Sequence, residues 1–246
     1  MPQKDTCNLL LIYKLRMREN MKKLLLIVAS TLLITSNAFA GSWGVGAAGH
    51  IASVSADGTE TTPSDTGTEN SVQSATAGND VLFGSIFAEY SFGDGEIFTF
   101  GVDYVPGTAD VNRKTLSRTD ARSDSNEDND QSGKNSANAE LSDHVTYYAE
   151  IGGMNSLYGK LGFAQVDVKT KDSKAGAGTV GTYPDKTLDA WTYGLGYKGE
   201  FGTNGYFKVE GYYTNYDDFS ATSTTSNTVK ASLDVVGAAL RVGYKF

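Results

Sequence analysis

The sequence predicts an all-β fold, an eight-stranded antiparallel up-and-down transmembrane β-barrel. Three observations carry that expectation. Apolar residues alternate with small or charged ones at a period of two in repeated segments, so each segment has one apolar and one polar face. The connections between segments are alternately long and short. The composition is rich in glycine and tyrosine, 28 and 14 of 246 residues, which suits strands and turns better than helices. With 39% hydrophobic and 11% aromatic residues the chain is too apolar for a disordered tail. The net charge of -8, with no clustered Lys/Arg patch, argues against nucleic acid as a partner.

Taken in order, the first element is an address rather than structure. Residues 21–40 open with Met21-Lys22-Lys23, continue through an apolar run from Leu24 to Ile34, and end Ala38-Phe39-Ala40 before Gly41. That is the three-part pattern of a cleavable signal peptide, and its apolar centre falls short of the roughly 20 residues that a membrane-spanning helix needs. Residues 1–20 have no place in such a signal and read as an over-extended N-terminus, Met17 or Met21 being the more ordinary starts. They hold the only cysteine, Cys7, so the domain at 41–246 has none. Residues 1–40 carry six basic and two acidic side chains, which leaves 15 basic and 27 acidic ones in that domain.

Eight segments then alternate. Five are clean: 98–104, 145–151, 191–198, 207–213 and 236–246. In the last, Val236, Ala238, Leu240, Val242, Tyr244 and Phe246 share one face, with Gly237, Arg241, Gly243 and Lys245 on the other. Three fit less cleanly: 43–54, 81–92 and 157–168. Phe87 shares a face with Glu89, and Asp167 shares one with Leu161 and Phe163, as a bulge or a strand leaving the membrane would produce. Tight turns are expected at Phe92-Gly93-Asp94-Gly95, at 152–156 and at 202–205. Long polar loops are expected at 55–80, 106–141, 169–187 and 216–230. Strict alternation puts all four long loops at one end and both termini with the short turns at the other, the layout of an outer-membrane barrel.

A soluble lipocalin-like barrel would turn the apolar face inward. Residue size opposes it, because an eight-stranded barrel is only just wide enough inside for side chains. Here bulk lies on the apolar face and glycine (Gly101, Gly194, Gly196, Gly237, Gly243) on the polar one. The polar face also gathers Glu89, Asp103, Glu150, Glu200 and Glu210 with Lys160, Lys198, Lys208, Arg241 and Lys245, five of each sign, a set that would have to pair in a narrow lumen. Aromatic girdles at the two interfaces are expected from Trp43, Tyr90, Phe92, Tyr104, Trp191, Phe201 and Tyr213.

With its signal peptide, eight alternating strands, long-short connections and the ending Leu240-Arg241-Val242-Gly243-Tyr244-Lys245-Phe246, the chain resembles the small outer-membrane β-barrels of Gram-negative bacteria. These are the OmpA transmembrane-domain, OmpX and opacity-protein type. The resemblance implies a cell-envelope protein with outer-membrane lipid and lipopolysaccharide around its wall, and the lack of a catalytic motif leaves no enzymatic activity or cofactor to expect. The resemblance also implies handling by the export and barrel-assembly machinery, with Leu240, Val242, Tyr244 and Phe246 as the C-terminal assembly signal. The expected role is a structural and surface-interaction protein with a largely closed lumen, presenting four extracellular loops to a possible outside partner. The alternative is a narrow porin-like channel or a conduit for small solutes.

Other motifs carry less. His50 and His144, without cysteine, read as lumen packing rather than metal ligands, and neither a G-x-S-x-G motif nor a recognisable triad order is present. The run at 124–130 resembles half a calcium loop but has Asn129 where the sixth-position glycine belongs and Asn135 where the closing glutamate belongs.

Overall fold

The computed structural model describes residues 41–62, 71–110, 116–120, 133–175, 183–224 and 226–246. The expected over-extended segment at 1–20, the signal peptide at 21–40 and the calcium-like run at 124–130 lie outside the described residues.

Among the described residues ten strands follow one another: β1 (Gly41–Thr62), β2 (Ser71–Phe92), β3 (Phe98–Asp110), β4 (Leu116–Asp120), β5 (Gly133–Ile151), β6 (Ser156–Ala175), β7 (Lys186–Phe201), β8 (Gly205–Tyr216), β9 (Phe219–Thr222) and β10 (Thr228–Lys245). They make eight staves. The short strands prolong their predecessors: β4 meets 133–137 of β5, beyond the 140–151 stretch met by β3, and β9 meets 228–231 of β10, beyond the 234–244 stretch met by β8. Consecutive staves are neighbours. The sheet closes where β1 pairs antiparallel with β10, from Gly44↔Lys245 to Thr61↔Thr228. Closure removes the free edges that an open sheet would leave.

One end is built from the three tight turns. Gly93 and Gly202 adopt φ of 87° and 62° there, a left-handed backbone that glycine reaches without a Cβ penalty. Backbone bonds tie neighbouring turns together, Met154 N to Gly95 O at 3.1 Å and Lys245 N to Asn204 O at 2.8 Å, and Phe246 N donates to Trp43 O at 2.9 Å. At the other end the strands run on well past the expected loop boundaries. Residues 55–62 and 71–80 are strand, as are 106–110, 133–141, 169–175 and 228–230. The expected loops are thus partly tall polar hairpins. Polarity was read as loop, but a ladder outside an apolar phase still satisfies its backbone groups by pairing.

The apolar face looks outward. Ile51, Leu82, Leu157 and Leu195 are 63%, 83%, 77% and 74% exposed, which excludes the soluble lipocalin-like orientation. Along β1, β2, β7 and β10 this outward face runs over 43–51, 82–92, 191–201 and 236–246, close to the roughly 9–11 residues that a tilted membrane strand needs. Above it the next outward residues are Ser53, Asp80, Gln165, Asp189, Asn215 and Asp234, so the belt has a definite upper edge. Gln165 Nε2 donates to Asp189 Oδ1 at 2.8 Å and Thr187 Oγ1 donates to Asp167 Oδ1 at 2.5 Å along it. The β6–β7 register is unbroken there. The β5–β6 register does shift beside Asp167, but the extra residue is on β5, between Ser142 and Val145, so Asp167 marks β6 leaving the belt with no bulge in β6 itself.

Above this edge the pattern inverts. Ala164, Val166, Val168, Leu188, Ala190 and Tyr216 form a buried apolar cluster inside, with Leu141, Phe219, Leu233 and Val235 packed against it. The barrel is polar-in at the belt and apolar-in above it.

Candidate functional site: a charged lumen beneath an apolar chamber

Alternation positions the lumen side chains, since every second residue of each stave points inward. Eight of the ten expected lumen charges are buried: Glu89, Asp103, Glu150, Lys160, Lys198, Lys208, Glu210 and Arg241, none more than 7% exposed. They comprise four of each sign. Glu200 and Lys245, expected among them, stand instead at the turn-side mouth, where they pair at 2.6 Å and Lys245 also meets Glu96 at 3.2 Å. Their parity is inward, but they lie at the strand ends, and alternation encodes face without depth. Glu96 was not foreseen. It sits in a tight turn, where no alternation points it anywhere, and it accepts from Ser42 Oγ at 2.7 Å.

The charges form tiers. Just inside the mouth, Lys198 Nζ donates to Glu96 O at 3.2 Å and Thr99 Oγ1 at 3.4 Å, and Ser91 and Thr99 share a 2.9 Å bond. In the next tier Lys208 bridges Glu89 and Glu150, both at 2.7 Å. In the third, Lys160 and Arg241 converge on Glu210 at 2.8 and 3.2 Å, and Arg241 reaches Asp103 at 2.9 Å. An ion of this size left unpaired in such a place costs several kcal/mol, and the pairing offsets much of that.

Tyrosines complete the tiers. Tyr148 donates to Glu89 at 2.6 Å and Tyr158 to Glu210 at 2.7 Å, and the Tyr148 ring lies 4.6 Å from Lys160 Nζ and 5.3 Å from the Arg241 guanidinium carbon. Alternation puts Tyr148 on the polar face with Thr146 and Glu150, and Tyr212 there with Lys208 and Glu210; Tyr158, Tyr206 and Tyr216 were not foreseen as lumen residues. The signal was available, since each shares the parity of a lumen charge or threonine on its own strand. Facing glycines make the room. A Cβ at Gly101 would come within 2.3 Å of the Tyr148 ring, and one at Gly196 within 2.7 Å of Tyr158. Phe87, with Glu89 on its face, is also inside, its ring 5.3 Å from the Arg241 guanidinium carbon.

His50 and His144 sit above the third tier. His50 stacks on Phe83 with centroids 4.6 Å apart and shares a 2.9 Å bond with Ser85 Oγ, while His144 Nε2 lies 3.0 Å from Tyr216 OH. No group of three potential metal ligands occurs among the described residues. Around the histidines lies an open cavity of about 290 Å³, with the third-tier charges at its base and Leu141, Val166, Tyr216 and Val235 in its lining.

On the outside, Trp43, Tyr90, Phe92 and Phe201 lie at the turn end of the belt, Trp43 packing on Tyr90 at 5.0 Å and Tyr90 on Phe92 at 6.1 Å. Tyr104, Trp191 and Tyr213 lie at its upper edge, Trp191 meeting Phe163 edge-on at 5.6 Å. Leu240, Val242, Tyr244 and Phe246 face outward, 55%, 47%, 56% and 69% exposed, on the stave that closes the barrel.

A closed antiparallel barrel with apolar residues outside and charges inside is the build of the transmembrane β-barrel class. No known family model matches the chain, and no curated protein matches it. Solved structures similar to it include the attachment invasion locus protein Ail of Yersinia pestis (14% identity, 84% of this chain and 97% of that one, TM-score 0.32). Others are the outer membrane protein OprG of Pseudomonas aeruginosa (17%, 85% and 97%, 0.38) and the outer membrane protease OmpT of Escherichia coli (11%, 83% and 97%, 0.34).

Proposed function

We infer that the chain is an integral outer-membrane protein whose barrel anchors polar hairpins at the cell surface, with a lumen closed to ions. The observation that carries this reading is the belt. On β1, β2, β7 and β10 the wall is apolar outside over nine to eleven residues, while the space inside holds four cationic and four anionic side chains buried together. Lipid and lipopolysaccharide would surround such a wall, because Lys or Arg on it near mid-membrane would cost about 2–4 kcal/mol. Closure is supported by the two upper tiers, where Lys160, Lys208 and Arg241 each reach a carboxylate within 3.2 Å. Interaction at the surface is supported by the hairpins, which rise above the belt on polar outer faces. The C-terminal residues Leu240, Val242, Tyr244 and Phe246 present an alternating outward row that the barrel-assembly machinery would read.

Cell fractionation with gel electrophoresis of heated and unheated samples tests the placement. The protein is expected in the outer-membrane fraction, with a mobility that shifts only after boiling. Recovery as a soluble periplasmic species would contradict it.

A further inference from the structure

The barrel wall is not paired throughout its height. The β2–β3 ladder runs from Phe92↔Phe98 up to Ile86↔Tyr104 and stops. Above that point β3 continues against β5 and, among the described residues, β2 pairs with β1 alone. The cause lies in β3. Its register against β5 shifts between Val105 and Thr108, Pro106 has no N–H to give to a ladder, and Gly107 takes φ of 97°. A bulge of this kind bends its strand away from a neighbour. The result is a seam at the upper edge of the belt, where Leu82 is the last apolar outward residue of β2 before Asp80.

The 290 Å³ cavity reaches that seam. Its lining includes inward residues, His50 and Phe83 among them, and also Pro106 and the outward Leu82. Phe83, Val105, Val166 and Val235 give the lining apolar surface. Polar groups are interleaved with them around the barrel, and their hydrogen bonding is incomplete. His50 Nδ1, Ser142 Oγ, His144 Nδ1, Tyr212 OH and Arg241 Nη1 are buried without a hydrogen-bond partner in the protein, and all five residues line this cavity. Such convergence marks a binding site, because buried polar groups are ordinarily satisfied. The charges on the lining are Lys160 and Arg241 against Asp103 and Glu210, a balanced set already paired within the third tier. A charged ligand would bring a charge with no counterpart.

We propose that this chamber binds a small neutral amphiphile, one aromatic ring bearing a hydrogen-bonding head, and that the ligand enters sideways through the β2–β3 seam. The head meets the unpartnered groups of His50, His144 and Tyr212, and the ring lies against Phe83 and Val166. The route rests on the membrane placement inferred above; the chamber does not.

The test uses the protein refolded in detergent micelles, with phenol as probe and toluene and benzoate as comparators, followed by ligand-observed NMR titration. Phenol is expected to saturate one site per barrel, with toluene and benzoate at least tenfold weaker. Val166→Phe, which fills the chamber, and Tyr212→Phe, which removes one polar contact, should each weaken phenol about tenfold or more while the gel shift on boiling shows them folded. Non-saturating uptake equal in wild type and both variants, meaning micelle partitioning or water alone in the chamber, would overturn the site. Leu82→Trp on the outer face tests the route, with phenol exchange slowed at unchanged affinity. Unchanged exchange would remove the seam as the entrance and leave the chamber standing, and a soluble periplasmic protein that still bound phenol would separate the site from the placement.

Discussion

The two halves of the barrel interior solve the same problem in opposite ways. At the belt, Lys208 between Glu89 and Glu150, and Glu210 between Lys160 and Arg241, fill the lumen with paired charge while leucine, tyrosine and valine face out. A few residues higher, on the same staves, Val166, Leu188 and Ala190 turn inward and Gln165, Asp167 and Asp189 turn outward. What changes between them is the solvent outside. Against lipid the apolar face must look out, so the polar face is forced inward and has to neutralise itself. Against water the ordinary rule returns, and the hydrophobic effect draws the apolar face in. The comparison teaches that the wall of one barrel can carry both builds, and that the switch of parity on each stave marks the height at which the surroundings change.

Substitutions in the two regions should therefore fail for different reasons. The largest effect is expected in the lower tiers. Lys208→Ala leaves Glu89 and Glu150 buried without their cation and should cost roughly 3–5 kcal/mol, read from urea unfolding in a lipid or detergent host. Adding Glu89→Gln and Glu150→Gln to Lys208→Met should recover most of that loss, since the penalty comes from uncompensated charge. A triple variant no better than Lys208→Ala would mean that the tier acts by shape rather than charge. Gly101→Ala drives a methyl into the Tyr148 ring and should cost about 1–3 kcal/mol by overpacking. In the upper region Val166→Ala removes buried apolar carbon without touching an ion, for a loss of about 1.6 kcal/mol at ~0.8 per methylene. The smallest effect belongs to the mouth. Lys245→Ala breaks pairs whose members are 17–44% exposed and should cost under about 1 kcal/mol. An equal loss at Lys245 and Lys208 would erase the distinction between rim and lumen.

Much of this was legible in the residues and some was not. Period-two alternation located all eight staves and the face of every lumen charge, because parity is a local property of a strand. It could not give depth, which is why Glu200 and Lys245 were expected inside and lie at the mouth. The inversion was written in the sequence at one place. Ala164, Val166 and Val168 take over from Leu161 and Phe163 as the apolar set of β6, and Asp167 on the old face was visible as an anomaly. Two explanations competed for it; the β6–β7 register is unbroken and the β5–β6 shift puts its extra residue on β5, which leaves β6 unbulged and simply leaving the belt. Tyr158, Tyr206 and Tyr216 were missed because a phenol suits an interface as well as a carboxylate, and only its partner across the barrel distinguishes the two. The seam was beyond reach of any local reading. Pro106 and Gly107 signal a break in β3, but which neighbour loses its ladder depends on pairing with strands far away in the chain.

A lumen closed by charge pairing at the belt should pass no ions until a pair is broken. Single-channel recording on the refolded barrel in a planar bilayer tests it most directly, with wild type compared against the Lys208→Ala and Arg241→Ala variants. Wild type is expected to show no steady conductance of porin size, and a measurable leak should open when either cation is removed. A steady open conductance in wild type, unchanged by both substitutions, would contradict closure.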